Sequence, residues 1–393
     1  MIRSEYYKNT EIITPDDGGH YFFGYYDMRP YSKGRHLTLR VPFMDRIPTV
    51  DDIAEIGYVK DKVFTPFAST TAWNFQQSAM LQWHPYLEDT VYYNEFVNGN
   101  CVTTTHNIAT GEKKHTDRPT ACISPDGKWG LSVNFARIYA FRPGYGYAAC
   151  VDPNADVNQP ADDGVFLVDM EIGHSRFLVD YVTLGEVGGF TKDDKILVNH
   201  ITFNTDSTRY CMLVRNFGDP RTGWLTSLMV GDLEGNVKTI LPKTYVSHYV
   251  WLDDNHLIAH CAAEPTDEEW HWSPANSSMF CINMTDGSYE KWDMPYFRLL
   301  PGGGDIHCNV TPGCDYVIGD GYPINGLRYL LAYNMKTGAW RCLLRAKTLP
   351  PANTDVRCDL HARFIDGGKY ITYDTTENGK RQIAMIDTSA LKF

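Results

Sequence analysis

The stretch DVRCDLHARF, residues 355–364, places a thiol, a carboxylate, an imidazole and two guanidinium groups within ten positions. His361 lies four residues before a turn-forming phrase that begins at Ile365, and the same offset from similar phrases at Leu252 and Thr311 lands on His248 and His307. Three imidazoles in register, with Cys308 beside one and Cys358 and Asp359 beside another, suit zinc or another borderline transition ion, and the carboxylate also admits manganese. On a strand Asp359 and His361 would share a face, while Cys358 would need a turn or bulge to join them. The expected metal set is His248, His307, Cys358 and His361. The rival expectation is that these imidazoles hydrogen-bond backbone between repeats.

A second group suits a different task. QQSAMLQWHP contributes Gln76, Gln77 and His84; NFARIYAFRPGYGYA contributes Asn134, Arg137, Arg142, Tyr145 and Tyr147; NHITFN contributes His200 and Asn204, with Arg209 and Arg215 downstream. RPGYGY is too rich in glycine for a strand interior and is expected to form a loop that displays its tyrosines. Aromatic rings beside Arg and His suit an acidic carbohydrate, with rings on sugar faces and guanidinium on carboxylate. Removing the C4 oxygen of a uronic acid by elimination needs neutralisation of the carboxylate, a base for the C5 proton and an acid for the leaving oxygen, all of which Arg, His, Tyr, Asn/Gln or a metal can supply. A glycosidase would call instead for two carboxyls flanking the bond, and the Asp residues here sit mainly in turns. The candidate catalytic residues are His84, Tyr145, Tyr147 and His200, and the candidate substrate-binding residues are Gln77, Asn134, Arg137, Arg209 and Arg215.

The elements that must position these groups show themselves as a repeat. A turn rich in Asp, Gly, Lys or Pro followed by aromatic and β-branched residues occurs seven times: YSKGRHLTL, HPYLEDTVYYN, SPDGKWGLSV, TKDDKILVN, LDDNHLIAH, TPGCDYVIGD and IDGGKYITYD. Between the copies fall strands that end in a polar Gly turn, such as IATGEKK, VGDLEGNVK and YNMKTGAWR. Two hairpin turns per unit imply four strands, and units spaced by about 40 to 60 residues are propeller blades. The expectation is an all-β, seven-bladed propeller of four-stranded antiparallel blades, forming a single domain over residues 1–393. A pair of β-sandwiches has no reason to repeat the same two turns seven times. No long amphipathic helix is evident, and the polar segment 151–164 reads as an inter-strand loop.

Composition bounds the rest. With 393 residues and 43% hydrophobic side chains the chain can bury a large core. A formal charge of −12 argues against nucleic acid or an anionic membrane as main partner. No signal-peptide core or membrane-spanning run is present, so a cytoplasmic location and mostly reduced cysteines are expected.

Together HYFFGYYDMRPYSKGRHL, WNFQQSAMLQWHP, SPDGKWGLSVNFARIYAFRPGYGY, NHITFN, VSHYVWLDD and RCDLHARF resemble the oligogalacturonate lyase and ulvan lyase group of seven-bladed propellers, over residues 20–373. The resemblance implies β-elimination on uronic-acid-containing oligosaccharides: oligogalacturonate, ulvan-type or, from a related propeller group, rhamnosyl-glucuronate. It also implies a divalent metal, zinc or manganese. It makes His200 similar to the oligogalacturonate-type base, and His84 with the RPGYGY tyrosines similar to the ulvan-type pair. His248, His307, Cys358 and His361 resemble the metal cluster. On this expectation Tyr147 or His200 takes the C5 proton, His84 assists, and Arg137 or Arg215 binds the uronate.

Overall fold

The computed structural model describes residues 9–218, 223–264, 277–292, 305–311, 313, 315–323, 325–351 and 354–391. Its strands form seven antiparallel sheets, each built from strands consecutive in the chain, with one exception. That exception is the seventh blade: Arg363–Ile365, Tyr370–Thr375 and Gln382–Asp387 come from the end of the chain, and Thr10–Ile12 from its beginning pairs along Gln382–Asp387 as the fourth strand. The two ends of the chain thus close the ring through backbone hydrogen bonds. Blade 1 carries an additional two-residue strand, Tyr31–Ser32. The expected seven-bladed propeller is the observed fold.

Each blade is sandwiched between two others, so its middle strands are buried on both faces and lose the polar alternation of a half-exposed strand. Arg209–Asn216 and Thr226–Asp232 in blade 4 are buried almost throughout. The outermost strands meet water and carry charge, as in Lys113–His115 and Tyr289–Trp292, which discourages pairing with another chain at the sheet edge.

The turn phrases connect the first and second strands of the blades, except in blade 4. TKDDKILVN lies between a short helix, Tyr181–Gly188, and the first strand, Ile196–Phe203; the true first turn of that blade is residues 204–208. A second short helix, Phe135–Phe141, opens a long insertion between the second and third strands of blade 3. Asn134 caps it by accepting from the Arg137 amide. RPGYGY follows as a single 3-10 turn, Pro143–Tyr145, and the polar segment after it returns to the strand Gly164–Asp169 as an inter-strand loop. Among the described residues no helix is long and apolar enough to cross a membrane.

After its first strand, His20–Phe22, blade 1 sends residues 23–27 across the centre of the ring. The Asp374 carboxylate accepts from the Phe23 and Gly24 amides, and Asn309 donates to the Tyr26 carbonyl at 2.7 Å. Gly24 has φ +117°, and a Cβ there would meet the Gln77 backbone at 2.9 Å, so only glycine fits. This crossing lodges Tyr26 among four imidazoles.

Candidate active site

The four imidazoles occupy one position in four successive blades. The amides of Asn204, Leu252 and Thr311 close the first turns of blades 4, 5 and 6 onto Arg209, His256 and Tyr316, and Ile365 pairs with Tyr370 in blade 7. Four residues before each of these stands a histidine: His200, His248, His307 and His361. The ring centroids of all four lie 6.0–6.2 Å from that of Tyr26. His248 and His361 are also 4.3 and 4.5 Å from His307. In blades 4 and 5 the first strand bulges just before the histidine, between Val198 and His200 and between Val246 and His248. The bulge brings the preceding residue, Asn199 or Ser247, onto the same cavity as the imidazole.

The four rings are not equivalent. His307, Asp359 and His361 present ligand atoms within 4.8 Å of one another, all buried. The Nε2 atoms of His307 and His361 are buried without a hydrogen-bond partner, an arrangement that is costly unless a ligand fills it. Their distances to Asp359 Oδ2 are 4.0 and 3.9 Å. Burial favours a neutral Asp359, but Arg357 and Arg328, each 2.7 Å from it, outweigh that and hold its carboxyl well below the usual range. At His307 burial is outweighed by Asp320 and Asp359 and the pKa rises; at His361 burial prevails, assisted by His307, and the pKa falls far. His361 adopts φ +43°, rare for a side chain of this size and typical of strain kept at functional sites. Two unpaired imidazole nitrogens beside an ionised carboxylate form a donor set that fits zinc or manganese.

His248 is held differently. Its Nδ1 donates to Asp305 at 2.8 Å, and Asp305 also accepts from Ser247 at 2.7 Å and Tyr245 at 3.0 Å. Burial depresses the imidazole to about 4 despite this carboxylate, so the ring is neutral near pH 7. His200 forms a parallel pair, with Nε2 2.7 Å from Asp27, but its Nδ1 is sealed from solvent and unpaired. A cavity runs from His200 and His248 past Tyr25, Tyr145, Arg142, Arg215 and Arg357. Arg357 donates to the Tyr145 hydroxyl at 2.9 Å and reaches Asp359 through Nε, which ties that cavity to the buried trio. Arg142 stacks over the Tyr145 ring at 4.5 Å. Arg215 donates to Asn199 at 2.7 Å and to the Val246 carbonyl at 3.0 Å, pinning both bulges.

Solved structures share this whole architecture at low sequence identity. An oligogalacturonate lyase in complex with manganese superposes with a TM-score of 0.66 at 13% identity, covering 96% of this chain and 92% of that one. The chain has the seven-bladed fold of the oligogalacturonate lyases. A second such lyase, from Vibrio parahaemolyticus, gives a TM-score of 0.62 at 12% identity over 97% of both chains. The tricorn protease matches 97% of this chain with 34% of its own, at a TM-score of 0.54 and 12% identity. No family model and no curated protein matches the sequence.

Within this oligogalacturonate-lyase fold, Tyr145, His200, Arg215 and His248 come together in one cavity, with His307 and His361 adjoining. The other sequence-derived candidates stand elsewhere. Cys358 is buried with its thiol directed to the Asp359 carbonyl at 3.8 Å, and burial pushes it up to about 11; the following carboxylate takes the place expected for it. His248 stands beside His307 with its Nδ1 held by Asp305, and the clustered ligand atoms are those of His307, Asp359 and His361. His84 lies at the far end of its strand, where Nδ1 accepts from the Tyr86 and Leu87 amides in a turn. Tyr147 is fully buried, stacked on Phe135 at 4.4 Å with its hydroxyl bonded by Asn94. Arg137 is fully buried and staples the insertion through the Ile196, Val157 and Asn158 carbonyls, and Asn134 holds Asp152 and Asp163. Arg209 bridges to Asp254 and Asn255 of blade 5 at a first-turn end, and Gln77 is buried in the turn held by Asn74.

Sequence reasoning missed Tyr25, Asn199, Asp305 and Arg357. Aligning blade 4 on NTDST instead of TKDD would have put His200 in the histidine register, and Asn199 would have followed as its neighbour.

Proposed function

We propose that this protein is a lyase that cleaves uronic-acid-containing oligosaccharides by β-elimination, the substrate class being oligogalacturonate, ulvan-type or rhamnosyl-glucuronate fragments. The observation that carries the reading is the convergence, in one cavity, of a neutral imidazole oriented by a carboxylate (His248–Asp305), a tyrosine hydroxyl that accepts from a guanidinium (Tyr145–Arg357) and a half-buried arginine (Arg142), beside a trio suited to a cation. Among the described residues, the nearby carboxylates Asp27, Asp305, Asp320 and Asp359 are each paired with a histidine or an arginine, which does not favour the carboxyl pair that hydrolysis uses.

His248 is the base. Asp305 accepts a hydrogen bond from Nδ1–H and so fixes the proton there, which leaves the lone pair on Nε2 free to accept the C5 proton, and a pKa depressed by burial keeps that lone pair available. Because the Tyr145 oxygen accepts from Arg357, its O–H is left to donate to the departing C4 oxygen. Arg142 binds the uronate carboxylate at the cavity mouth. Arg215 acts through others, holding Asn199 and the bulge that aims His248. His307, Asp359 and His361 would hold a divalent cation, zinc or manganese, whose charge supplies Lewis-acid neutralisation of a carboxylate when bound.

The test is ultraviolet absorbance of the unsaturated uronate product during incubation with oligogalacturonides, ulvan fragments and rhamnosyl-glucuronides, with and without chelator. A rise that His248→Asn abolishes supports the reading. Saturated reducing ends without the absorbance would make the protein a hydrolase, and binding of a uronide with neither product would make it a binding propeller.

A further inference from the structure

A second cavity, of about 270 Å³, lies beyond Tyr26 from the candidate active site. Tyr25 lines the first cavity, whereas Tyr26, Asp27 and Arg29 line this one, so the segment that crosses the ring stands between the two. In blades 4 to 7 its walls are residues of the first strands one to three positions past the histidines, such as Phe203, Trp251, Val310 and Phe364. It shares Arg29, Trp251, Asn309 and Phe364 with a groove of about 500 Å³ among the first turns, which gives a ligand a way in. Tyr249 and Trp251 both spend their polar atoms on the Thr202 hydroxyl, at 3.2 and 3.0 Å, and contribute rings to the wall.

Against this wall stands a guanidinium with no counter-charge. Arg29 Nε donates to the Trp83 carbonyl at 3.1 Å and the Trp83 amide donates back to the Arg29 carbonyl at 3.0 Å, which fixes Arg29 beside the first strand of blade 2. Its Nη2 is sealed from solvent without a hydrogen-bond partner. Among the described residues no carboxylate pairs with Arg29, and burial lowers its pKa. The other charges of the lining are matched: Asp27 lies 2.7 Å from His200, and Arg363 donates to Asp374 at 2.7 Å. Even so, Arg363, 1% exposed, keeps a second buried and unpartnered nitrogen, Nη1. A buried cation with idle donors is costly unless an anion meets it.

We propose that this second cavity binds a small aromatic monocarboxylate, its carboxylate on the Arg29 guanidinium and its ring against the aromatic wall. Pockets for drug-sized ligands run to about 300–1,000 Å³, so the occupant here is smaller. One unmatched positive charge calls for one negative charge, and Asp27 in the lining opposes a second, as on a phosphate dianion. A sugar acid would bring several hydroxyls to a wall whose Thr202 hydroxyl and Asn309 amide are already engaged. The inference rests on the lining of this cavity and does not depend on the proposed reaction.

Benzoate is the probe, titrated calorimetrically into the full-length protein beside benzamide, which keeps the ring and loses the charge, and beside galacturonate and inorganic phosphate. About one equivalent of benzoate should bind, with each of the other three weaker by about 10-fold or more. Arg29→Met should weaken benzoate by about 10-fold or more, and Arg29→Lys, which keeps the charge but not the bidentate geometry, should retain part of the affinity. Arg142→Gln, in the other cavity, should leave benzoate binding unchanged. Benzoate should also raise the melting temperature of the wild-type protein and not that of Arg29→Met. Should Arg29→Met fail to fold, Arg29→Lys carries the test, and wild-type affinity in it with loss in Arg142→Gln would place the anion in the active-site cavity and overturn the proposal. Galacturonate or phosphate binding as tightly as benzoate would overturn the aromatic assignment. No heat and no thermal shift with millimolar benzoate would overturn the site itself.

Discussion

The first strands of the blades have two ends, and the same residue types mean different things at each. At the starting end, blades 4 to 7 present His200, His248, His307 and His361 around Tyr26, where nitrogen atoms are paired to Asp27 and Asp305 or left unpaired beside Asp359. In the first turns at the other end His84 and Arg209 are polar and half-buried, yet their hydrogen bonds close a turn or tie two blades together. Imidazoles at the starting end converge because the strands of a propeller are nearest one another around the axis. Those in the first turns face local backbone N–H groups and are satisfied one by one.

The sharpest way to break this contrast is at His248. Replacement by Asn should lower kcat by about 10²–10⁴-fold, the range for loss of a general base, with the fold intact by circular dichroism. His84→Asn, which can still accept the turn amides, should change kcat by less than about two-fold. Equal losses at both positions would dissolve the distinction.

The two tyrosines of RPGYGY sharpen it further. Tyr145→Phe should slow elimination by about 10²-fold, the lower end of the range for loss of a general acid, and should also cost about 1–2 kcal/mol because an Arg357 N–H loses its acceptor. Tyr147→Phe strands the Asn94 amide and should cost about 1–2 kcal/mol of stability, read from urea unfolding, with normal turnover per folded molecule. Among the arginines, Arg137→Met removes a guanidinium that satisfies three carbonyls of the insertion and that of Ile196 in blade 4, and should cost about 3–5 kcal/mol. Arg142→Gln should raise KM and barely alter stability.

Metal content separates the imidazoles themselves. The wild-type protein should retain about one equivalent of zinc or manganese after equilibrium dialysis, His361→Ala should lose it, and His200→Asn should keep it. If His200→Asn also lost the ion, all four histidines would act as one ring.

The smallest effect concerns pH. His36, fully buried between the Leu37 carbonyl and Thr372, has its pKa pressed down to about 3 by burial and by Arg363. The folded chain refuses a proton that the unfolded chain accepts below about pH 6.5, so stability is complete above that pH and is lost as pH falls toward 3. At pH 5 the loss is about 2 kcal/mol, and His36→Gln should flatten that part of the stability curve.

Much of this was legible in residues alone. Seven turn phrases gave the blade count, and their offset gave three of the four histidines. Misplacing one turn, TKDD, hid the fourth, because a helix end before a strand carries the same Asp-rich signature as a hairpin turn. The choice between Cys358 and Asp359 was not legible: residues 358–362 are not in a regular strand, and the left-handed conformation of His361 sets where its neighbours point. Nor was the division of the arginines, since Arg137 and Arg215 have the same chemistry and differ only in the carbonyls that surround them.

What the sequence by itself determined is the repeat, and with it the propeller and the register in which its histidines stand, because turn chemistry and strand composition are local properties. What only the tertiary structure decided is which side chains share a cavity and which are already satisfied. That depends on neighbours hundreds of residues away, such as His361 donating to the Gly24 carbonyl and Asp27 pairing with His200, and a buried polar group is free for chemistry only when no such neighbour has claimed it.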